Sequence, residues 1–241
     1  MTINDSGPVL EGAPMMLNPY DEYALETAIR LKEAAGESAT LTAVSIGAPG
    51  AKEILKKAIA VGADSAVLVS DPALNGIDSA AASRVLQTVI MKDVPDAKVI
   101  FCGQSALDDA SGQTGARIAA LLDRPALTFC KEATLNGDGL NVVRESEQGL
   151  ETHSMQLPGV VCVMKCDYEL RGSNIKGVMK ANKADIPTRT LADLGVDVAP
   201  VLTLMDSRKR PAKTEGKKVD GSNPAEAVNA LMTYLREAKI V

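Results

Sequence analysis

The sequence predicts an α/β fold, with a parallel β-sheet flanked by helices on both faces. Three short aliphatic runs, at residues 40–47, 65–70 and 97–103, have the length and composition of buried strands. Helical segments at about 50–61 and 78–93 separate these runs, and strands that alternate with helices favour a parallel sheet. Of the 241 residues, 46% are hydrophobic and only 2% are aromatic, so the core must be packed with aliphatic side chains.

The first helix is marked by its ends. Asn18 stands at the N-cap, Pro19 at the first helical position and Asp21 in the first turn, while Gly36 ends the helix. An Asn-Pro pair is a good helix start by itself, so these residues alone do not indicate a ligand. Residues 2–17 before it predict a turn-rich strand or hairpin.

Beyond the third aliphatic run and the helix after it, the alternation stops. Short β-rich runs broken by Asn-Gly-Asp-Gly and Glu-Gln-Gly predict a meander from about 127 to 166. A loop at 166–177, a short helical piece and a stretch of low periodicity to about 221 follow. An amphipathic helix that begins at Asn223-Pro224 closes the chain.

Composition and charge argue against several functional classes. The formal net charge of -5 provides no overall field that would attract nucleic acid or an anionic membrane. No apolar run approaches the roughly 18–20 residues that cross a bilayer, and the first residues of this sequence do not have the charged and then apolar pattern that predicts a signal peptide. The four cysteines form no CxxC pair, so we expect a reducing compartment: the cytoplasm or, in a eukaryote, the mitochondrial matrix.

Neither the cysteines nor the single histidine indicates a metal or a hydrolytic site. Cys162 and Cys166 lie four residues apart without a cluster of His or Cys elsewhere, which is a poor spacing for metal ligands. All four cysteines are therefore predicted to be buried, inert thiols. His153 has no Ser or Cys partner suggested by the sequence, so a catalytic triad is not indicated.

The segment from Gly103 to Leu122 has the pattern of an anion cradle. A strand ends at Gly103, a loop with glycine follows, and a helix begins with Ser111, Gly112, Gln113, Thr114 and Gly115. Free backbone N–H groups and the dipole of a helix N-terminus favour phosphate there, although a capped loop without a ligand fits the same pattern. Adjacent residues of a loop usually point apart, so Asp108 and Asp109 are poorly placed to act on one reacting atom. The chain has no Walker motif and no GxGxxG.

Two basic segments are candidates for partner contacts. Apolar side chains framed by charge in a loop favour a docking surface, although surface charge often serves only solvation. One segment contains Arg171, Lys176, Lys180 and Lys183 around Ile175, Val178 and Met179. The other runs from Arg208 to Lys218 without hydrophobic periodicity, which is typical of an extended arm.

Five stretches together resemble one family, the electron transfer flavoprotein beta subunits. They carry an Asn-Pro-aromatic segment, a Gly-Ala-Asp turn before a strand, a Gln-Thr-Gly loop, an Arg-Glu to Leu-Pro signature, and a recognition loop followed by Met-Lys-Ala. In order they read NPYDEYALETAIRLKE, AIAVGADSAVLV, GQSALDDASGQTG, VVRESEQGLETHSMQLPGVVCV and ELRGSNIKGVMKANK, and they extend over nearly the whole chain.

The resemblance implies a fold, a partner and two cofactors. The fold is a Rossmann-like sheet of the adenine-nucleotide-binding type at 1–190, with the β meander, and an extended C-terminal arm and helix at 191–241 that contacts the partner. The partner is an alpha subunit that holds most of an FAD, while the beta subunit binds a separate AMP. The heterodimer carries electrons from acyl-CoA or other flavin dehydrogenases, and the beta subunit is not an enzyme.

The resemblance also assigns binding residues by position, with no catalytic residue and no metal ligand. Tyr20 stands where the family places an aromatic ring close to the flavin, and Ile175 stands at the apolar anchor for dehydrogenases. The AMP contacts are Asn18, Pro19, Tyr20, Asp21, the backbone near Ile46, and the loop of Gly103, Gln104, Ser105, Ala106, Leu107, Asp108, Asp109, Ala110, Ser111, Gly112, Gln113 and Thr114. The docking residues are Arg171, Ile175, Lys176, Met179 and Lys180.

The chain departs from the family pattern at several places. Ala110 and Gly112 replace an Asp and an Asn, so backbone N–H groups are left to hold phosphate. Lys176 replaces a Pro, Gly172 replaces an aromatic residue, and Gln148 interrupts the acidic-Gly turn. The family also begins with a strand of the form Lys-Ile-Leu-Val-x-Val-Lys, internal to the sheet, that precedes the part of the pattern at which this sequence begins.

Three alternatives to the AMP-binding carrier stay open at this point. One is an electron-bifurcating beta subunit with a second FAD in place of AMP, although the loop LDDASGQTG is nearer to the AMP version. Another is an adenine-nucleotide sensor that binds ATP without a partner. The third is a hydrolase or ligase that uses Asp108 and Asp109.

Overall fold

The computed structural model describes residues 15–202 and 218–241, with residues 3–4, 7–8, 205, 211 and 216 besides. The chain divides into two compact units. The larger unit is Gly12–Thr203, and the smaller unit consists of Met1–Glu11 and Leu204–Val241. The second unit contains the strands β1 (Ile3–Asn4) and β2 (Gly7–Pro8), which pair antiparallel, and the terminal helix that the sequence predicts. Most of the basic run from Arg208 to Lys218 lies outside the described residues.

The first half of the larger unit alternates helices and strands as predicted. Asn18-Pro19 begins the first helix and Gly36 ends it. Each of the three strands that follow lies in a predicted aliphatic run. The helix between the first two returns the chain for a parallel strand, and the third strand belongs to a second sheet. The elements are α1 (Pro19–Ala35), β3 (Thr42–Ile46), α2 (Lys52–Val61), β4 (Ser65–Val69), α3 (Ser79–Asp93), β5 (Val99–Gly103) and α4 (Thr114–Leu121).

The predicted meander is correct for three strands and wrong for the fourth. β6 (Ala126–Asn136), β7 (Gly139–Ser146) and β8 (Gly149–Gln156) form consecutive antiparallel hairpins. β9 (Gly159–Val163) then returns between β5 and β6 and runs parallel to both. All five residues of β9 are buried, and such a continuously apolar strand is stable only in the interior of the sheet.

The remaining elements complete the larger unit. They are α5 (Ile175–Lys183), β10 (Thr188–Arg189) and α6 (Leu191–Leu194). β10 pairs with β4, and Leu194 of α6 is buried against the same sheet, so this unit continues beyond residue 190. The expected role of 191–241 as an arm on a partner stays a prediction. In the smaller unit, α7 (Pro224–Glu237) exposes apolar side chains such as Val228 and Leu231.

The strands of the larger unit form two sheets, one parallel and one mixed, in which β6, β7 and β8 pair antiparallel. One sheet has the order β10-β4-β3 and the other has the order β5-β9-β6-β7-β8. Among the described residues, β3 and β5 each pair with a single strand. All five residues of β3 are partly exposed, whereas β4 is buried after its first residue. Two parts of the predicted binding site lie at the carboxyl ends of these strands. Ile46 ends β3, and the segment from Gly103 to Thr114 begins at the end of β5.

Candidate functional site

The site is built around the N-terminus of α1. Asn18 occupies the N-cap position, yet its side chain does not cap the helix. Its amide Nδ2 donates to the carbonyl of Ser105 at 2.8 Å and to Oδ2 of Asp21 at 2.9 Å. Its Oδ1 accepts from the backbone N–H of Leu107 at 3.3 Å. The residue that sequence patterns assign to a helix start therefore holds the loop after β5.

Asp21 joins the first turn of α1 to the end of β5. Its Oδ1 accepts from the backbone N–H of Gly103 at 2.6 Å. The two backbones approach so closely that a Cβ on Gly103 would lie 2.8 Å from the nitrogen of Asp21 and from the carbonyl carbon of Tyr20. Only glycine leaves space for this contact. Tyr20 and Asp21 thus lie directly against the start of the predicted nucleotide loop, and Pro19 precedes them as the first residue of α1.

Gln104 ties the same loop to the neighbouring strands. Its backbone N–H donates to the carbonyl of Val163 at 2.7 Å, and its side-chain Oε1 accepts from the N–H of Phe129 at the same distance. Phe129 lies at a bulge of β6 and has a φ of 58°. An aromatic residue in this left-handed region is uncommon. The bond to Gln104 satisfies the N–H that the bulge removes from the ladder.

The middle of the loop is exposed and stabilised by local hydrogen bonds. Asp108 accepts from the N–H of Asp109 at 2.8 Å, and Asp109 accepts from the N–H of Ser111 at 3.0 Å. Ala110 and Gly112 both have a positive φ, of 52° and 61°. Both carboxylates are solvent-exposed and serve the turns of their own loop. This arrangement differs from the buried, mutually perturbed pair that acid–base catalysis uses.

The loop leads into α4, whose first turn carries no side-chain cap. Gln113 stands at the N-cap position, but its Oε1 accepts from the guanidinium of Arg117 at 2.8 and 3.0 Å. The first N–H groups of α4, from Thr114 onward, therefore have no side-chain acceptor at the cap. An uncapped N-terminus at the carboxyl ends of parallel strands favours an anionic ligand.

Two tight contacts position the start of α4. A Cβ on Gly115 would lie 2.4 Å from the Sγ of Cys162 and 3.5 Å from that of Cys102. The helix consequently rests directly on β5 and β9.

Ile46 ends β3, and among the described residues no hydrogen bond links it to the loop. The structure thus brings the Asn18 and Gly103 segments together and leaves the contribution of Ile46 a prediction.

Burial raises the pKa values of the thiols near the start of α4. Cys102 and Cys162 are register partners on adjacent strands. Burial raises the pKa of Cys162 to about 11 and that of Cys130 to about 12, and it raises the pKa of Cys102 well above its ordinary value. Protonated thiols are poor nucleophiles and poor metal ligands. The described residues also contain no group of three or more His, Cys, Asp or Glu that could hold a metal ion.

The predicted docking residues fall into two groups. Ile175 is 81% exposed, and Lys176 and Met179 beside it are also exposed. Arg171 instead pairs with two glutamates of α1, and Lys180 donates to the carbonyl of Ala63 at 3.0 Å and to Asp64 at 3.3 Å. The sequence analysis missed the acidic partners of these two cations.

One of those partners, Glu26, carries a signal that could have been found. It interrupts the apolar face of α1 between Leu25 and Ala28, and its side chain is only 2% exposed. A carboxylate at such a position needs a cation from another segment. The cation is Arg171, which lies 145 residues further along the chain and so outside any local pattern.

Within the described residues, no helix combines the length and the hydropathy needed to span a bilayer.

Comparison with known proteins gives one consistent family. The model of the electron transfer flavoprotein domain matches residues 9–194. The chain is 37% identical to the electron transfer flavoprotein subunit beta of Bacillus subtilis, over 96% of this chain and 90% of that protein. It is 35% identical to the protein of that name from Bradyrhizobium diazoefficiens, over 94% and 88%. It is 36% identical to the protein of that name from Homo sapiens, over 89% of this chain and 84% of that protein.

Proposed function

Because the chain belongs to the electron transfer flavoprotein beta subunit family, we propose that it forms a heterodimeric electron carrier with an alpha subunit. In this carrier the chain binds AMP in the loop 103–114 and helps the alpha subunit to hold FAD. Electrons enter from acyl-CoA or other flavin dehydrogenases that dock at Ile175 and its neighbours, and they leave to an acceptor. The chain itself has no substrate to convert.

The AMP assignment is supported by the place where the start of α1, the loop 103–114 and the start of α4 meet. Asn18, which precedes α1, and Asp21 in its first turn hold the first part of the loop, and the uncapped start of α4 follows at Thr114. A phosphate there accepts from backbone N–H groups and meets the positive end of the helix dipole. Bound AMP would join α1, the loop and α4, which supports a structural role for the nucleotide.

The residues of the loop favour binding over chemistry. Asp108 and Asp109 bond within the loop and remain exposed, and the described residues contain no charged side chain that pairs with either of them. The thiols of Cys102 and Cys162 are held protonated by burial. Such groups position a ligand, whereas a hydrolase or ligase needs an activated nucleophile or base.

The proposed share in FAD binding rests on Tyr20. This residue lies in the first turn of α1, directly against Gly103, so one rigid corner serves both ligands. When bound, FAD supplies the one- and two-electron chemistry. The contribution of this chain is to orient the ligand and to shield it from water on one side.

The composition of the purified complex tests the proposal. The chain is co-expressed with the alpha subunit of the same organism, the complex is denatured, and the released nucleotides are separated by chromatography. We expect one FAD and one AMP per heterodimer. Two FAD would replace the proposal with the electron-bifurcating alternative, and FAD without AMP or the absence of a complex would overturn it. Tight binding of ATP by the isolated chain would favour the nucleotide sensor.

A further inference from the structure

The segment before Ile175 is held to α1 by a charged cluster. Residues 164–174 connect β9 to α5 and contain no helix or strand. Within this segment, Arg171 donates to Glu26 from its backbone N–H at 3.1 Å, from Nε at 3.0 Å and from Nη2 at 3.0 Å. Its Nη2 also reaches Glu33 at 3.0 Å, and its Nη1 pairs with the same carboxylate.

Burial makes this cluster necessary to the fold. The side chain of Glu26 is 2% exposed, and an unpaired carboxylate in such a place is strongly unfavourable. Burial would raise the pKa of Glu26, but hydrogen bonds from Arg171 and Arg30 lower it below its ordinary value. Hydrogen bonds and the charges of Glu33 and Glu26 raise the pKa of Arg171. Glu26, Glu33 and Arg171 are therefore charged at neutral pH.

A second contact holds the same segment to the same helix. The guanidinium of Arg30 lies 4.1 Å from the ring centroid of Tyr168 and also donates to Glu26 at 2.8 Å. The hydroxyl of Tyr168 is hydrogen-bonded to Thr27 at 2.8 Å. Residues 168 and 171 are thus both attached to one face of α1, which leaves the segment little freedom.

The start of α5 is held from its other side as well. Asn174 caps the helix by accepting from the N–H of Gly177 at 2.8 Å. A Cβ on Gly177 would lie 2.0 Å from the carbonyl oxygen of Ala60, so α5 rests directly on α2. In the chain, Ile175 follows Arg171 and Asn174 and precedes Gly177, and its side chain is mostly exposed. Its position is therefore determined by bonds that lie on both sides of it in the chain.

We propose that Arg171 is a positioning residue that presents Ile175 to the dehydrogenase and does not touch the dehydrogenase itself. This inference rests on the proposed function, in which Ile175 is the docking anchor. A docking side chain that is already ordered costs less conformational entropy on binding. Arg suits this role because its planar fork reaches two carboxylates at once, which a lysine ammonium does not reproduce.

The kinetics of flavin reduction test the proposal. The FAD-loaded complex serves as the varied substrate of a purified acyl-CoA dehydrogenase and its acyl-CoA, and KM and kcat are measured separately. We expect Arg171→Met to raise KM by about tenfold with kcat changed by less than about twofold. Arg171→Lys should not restore the value, and Glu33→Gln should raise KM by a smaller factor. Lys165→Met, which removes an exposed cation from the same segment 164–174, is the matched control.

A double-mutant cycle separates positioning from direct contact. If Arg171 acts through Ile175, Arg171→Met/Ile175→Ala should have the same KM as Ile175→Ala alone. Hydrogen exchange of residues 168–176 should be faster in Arg171→Met, and the AMP and FAD contents should be unchanged. Additive effects on KM, or unchanged exchange, would overturn the positioning role.

Two outcomes distinguish this inference from the proposed function. If Ile175→Ala raises KM and Arg171→Met changes neither KM nor exchange, the inference fails and the docking proposal stands. If wild-type complex is not reduced, or if Ile175→Ala has no effect, the docking proposal itself fails and the inference fails with it. Because Glu33→Gln removes only the exposed half of the cluster, it keeps the test valid if Arg171→Met does not fold.

Discussion

The two ends of α1 attach to the rest of the chain by different physical means. At the N-terminal end, Asn18 and Asp21 use neutral or singly charged hydrogen bonds to hold an exposed loop. From the middle of the helix to its last turn, Glu26 and Glu33 hold Arg171 in a partly buried ion cluster. The first contact leaves the loop exposed and the start of α4 without a side-chain cap, whereas the second satisfies its charges within the chain. The proposed binding loop is thus open to a ligand, and the proposed docking segment is already held in place.

The largest effect is expected at the N-terminal end, where backbone meets backbone. Gly103→Ala places a Cβ 2.8 Å from two backbone atoms of α1, and neither atom moves without a shift of the helix. We expect the free energy of unfolding to fall by about 3 kcal/mol or more. Denaturant titration measures this change, and Gly172→Ala, where a Cβ meets nothing within 4 Å, is the control. Equal stability of the two variants would show that α1 and β5 are not in close contact.

The second effect tests the charged end. Glu26→Ala should lower the free energy of unfolding by roughly 2 kcal/mol, less than the about 3–5 kcal/mol of a fully buried pair, because Arg171 and Arg30 keep 34% and 51% of their side chains exposed. The AMP content should not change. The control is Glu22→Ala in the same helix, which breaks an exposed ion pair with Lys57 of α2. It should lower the free energy of unfolding by less than about 0.5 kcal/mol. A loss of AMP in Glu26→Ala would mean that the two ends of α1 are coupled.

The third prediction concerns pH. Hydrogen bonds from Arg171 hold the pKa of Glu26 and of Glu33 below the ordinary value of 4.5. The folded protein therefore binds protons more weakly than the unfolded chain, and acid favours unfolding. The stabilisation is complete well above pH 4.5 and is lost as the pH falls through the lower pKa values of the folded state. The difference in stability between wild type and Arg171→Met should therefore decrease on acidification, as urea titrations at several pH values would show.

A constant difference between the two proteins at all pH values would assign the effect of Arg171 to packing and not to charge.

The smallest effect on stability is expected in the exposed loop. Asp109→Ala removes the acceptor of the Ser111 N–H and should cost less than about 1 kcal/mol. The AMP retained by the purified heterodimer should nevertheless fall, and Thr114→Val should lower it in the same way. Asp138→Ala, at the tip of the hairpin between β6 and β7, is the control with unchanged AMP. Full retention of AMP in both loop variants would contradict the assignment of this loop.

Much of this architecture follows from local patterns in the sequence. The Asn18-Pro19 start and the Gly36 end of α1 were predicted and are confirmed, because caps and breakers act within one turn of helix. The exposure of Ile175 was likewise expected, since charged neighbours frame it. The strands β3, β4 and β5 were predicted because continuous aliphatic runs of their length are stable in a covered parallel sheet.

Other features depend on contacts between residues that are distant in the chain. The sequence placed β9 in a meander, but only the assembled sheet shows that a fully buried strand must lie between β5 and β6. Asn18 was expected to cap α1, yet its side chain instead holds Ser105 and Leu107, some 90 residues away. Arg171 was predicted to take part in docking, which stays a prediction, and the structure adds that its side chain pairs with Glu26 and Glu33.

The sequence by itself determined most helices and strands, the family and the exposure of Ile175, because these depend on propensities and patterns within a few residues. The tertiary structure alone decided which polar side chains are used internally and which remain for a ligand or partner. The physical reason is that a polar group becomes committed only when burial removes water and a distant segment supplies the partner. The sequence contains Glu26 and Arg171 as two charged residues far apart, and only the fold shows that each neutralises the charge of the other.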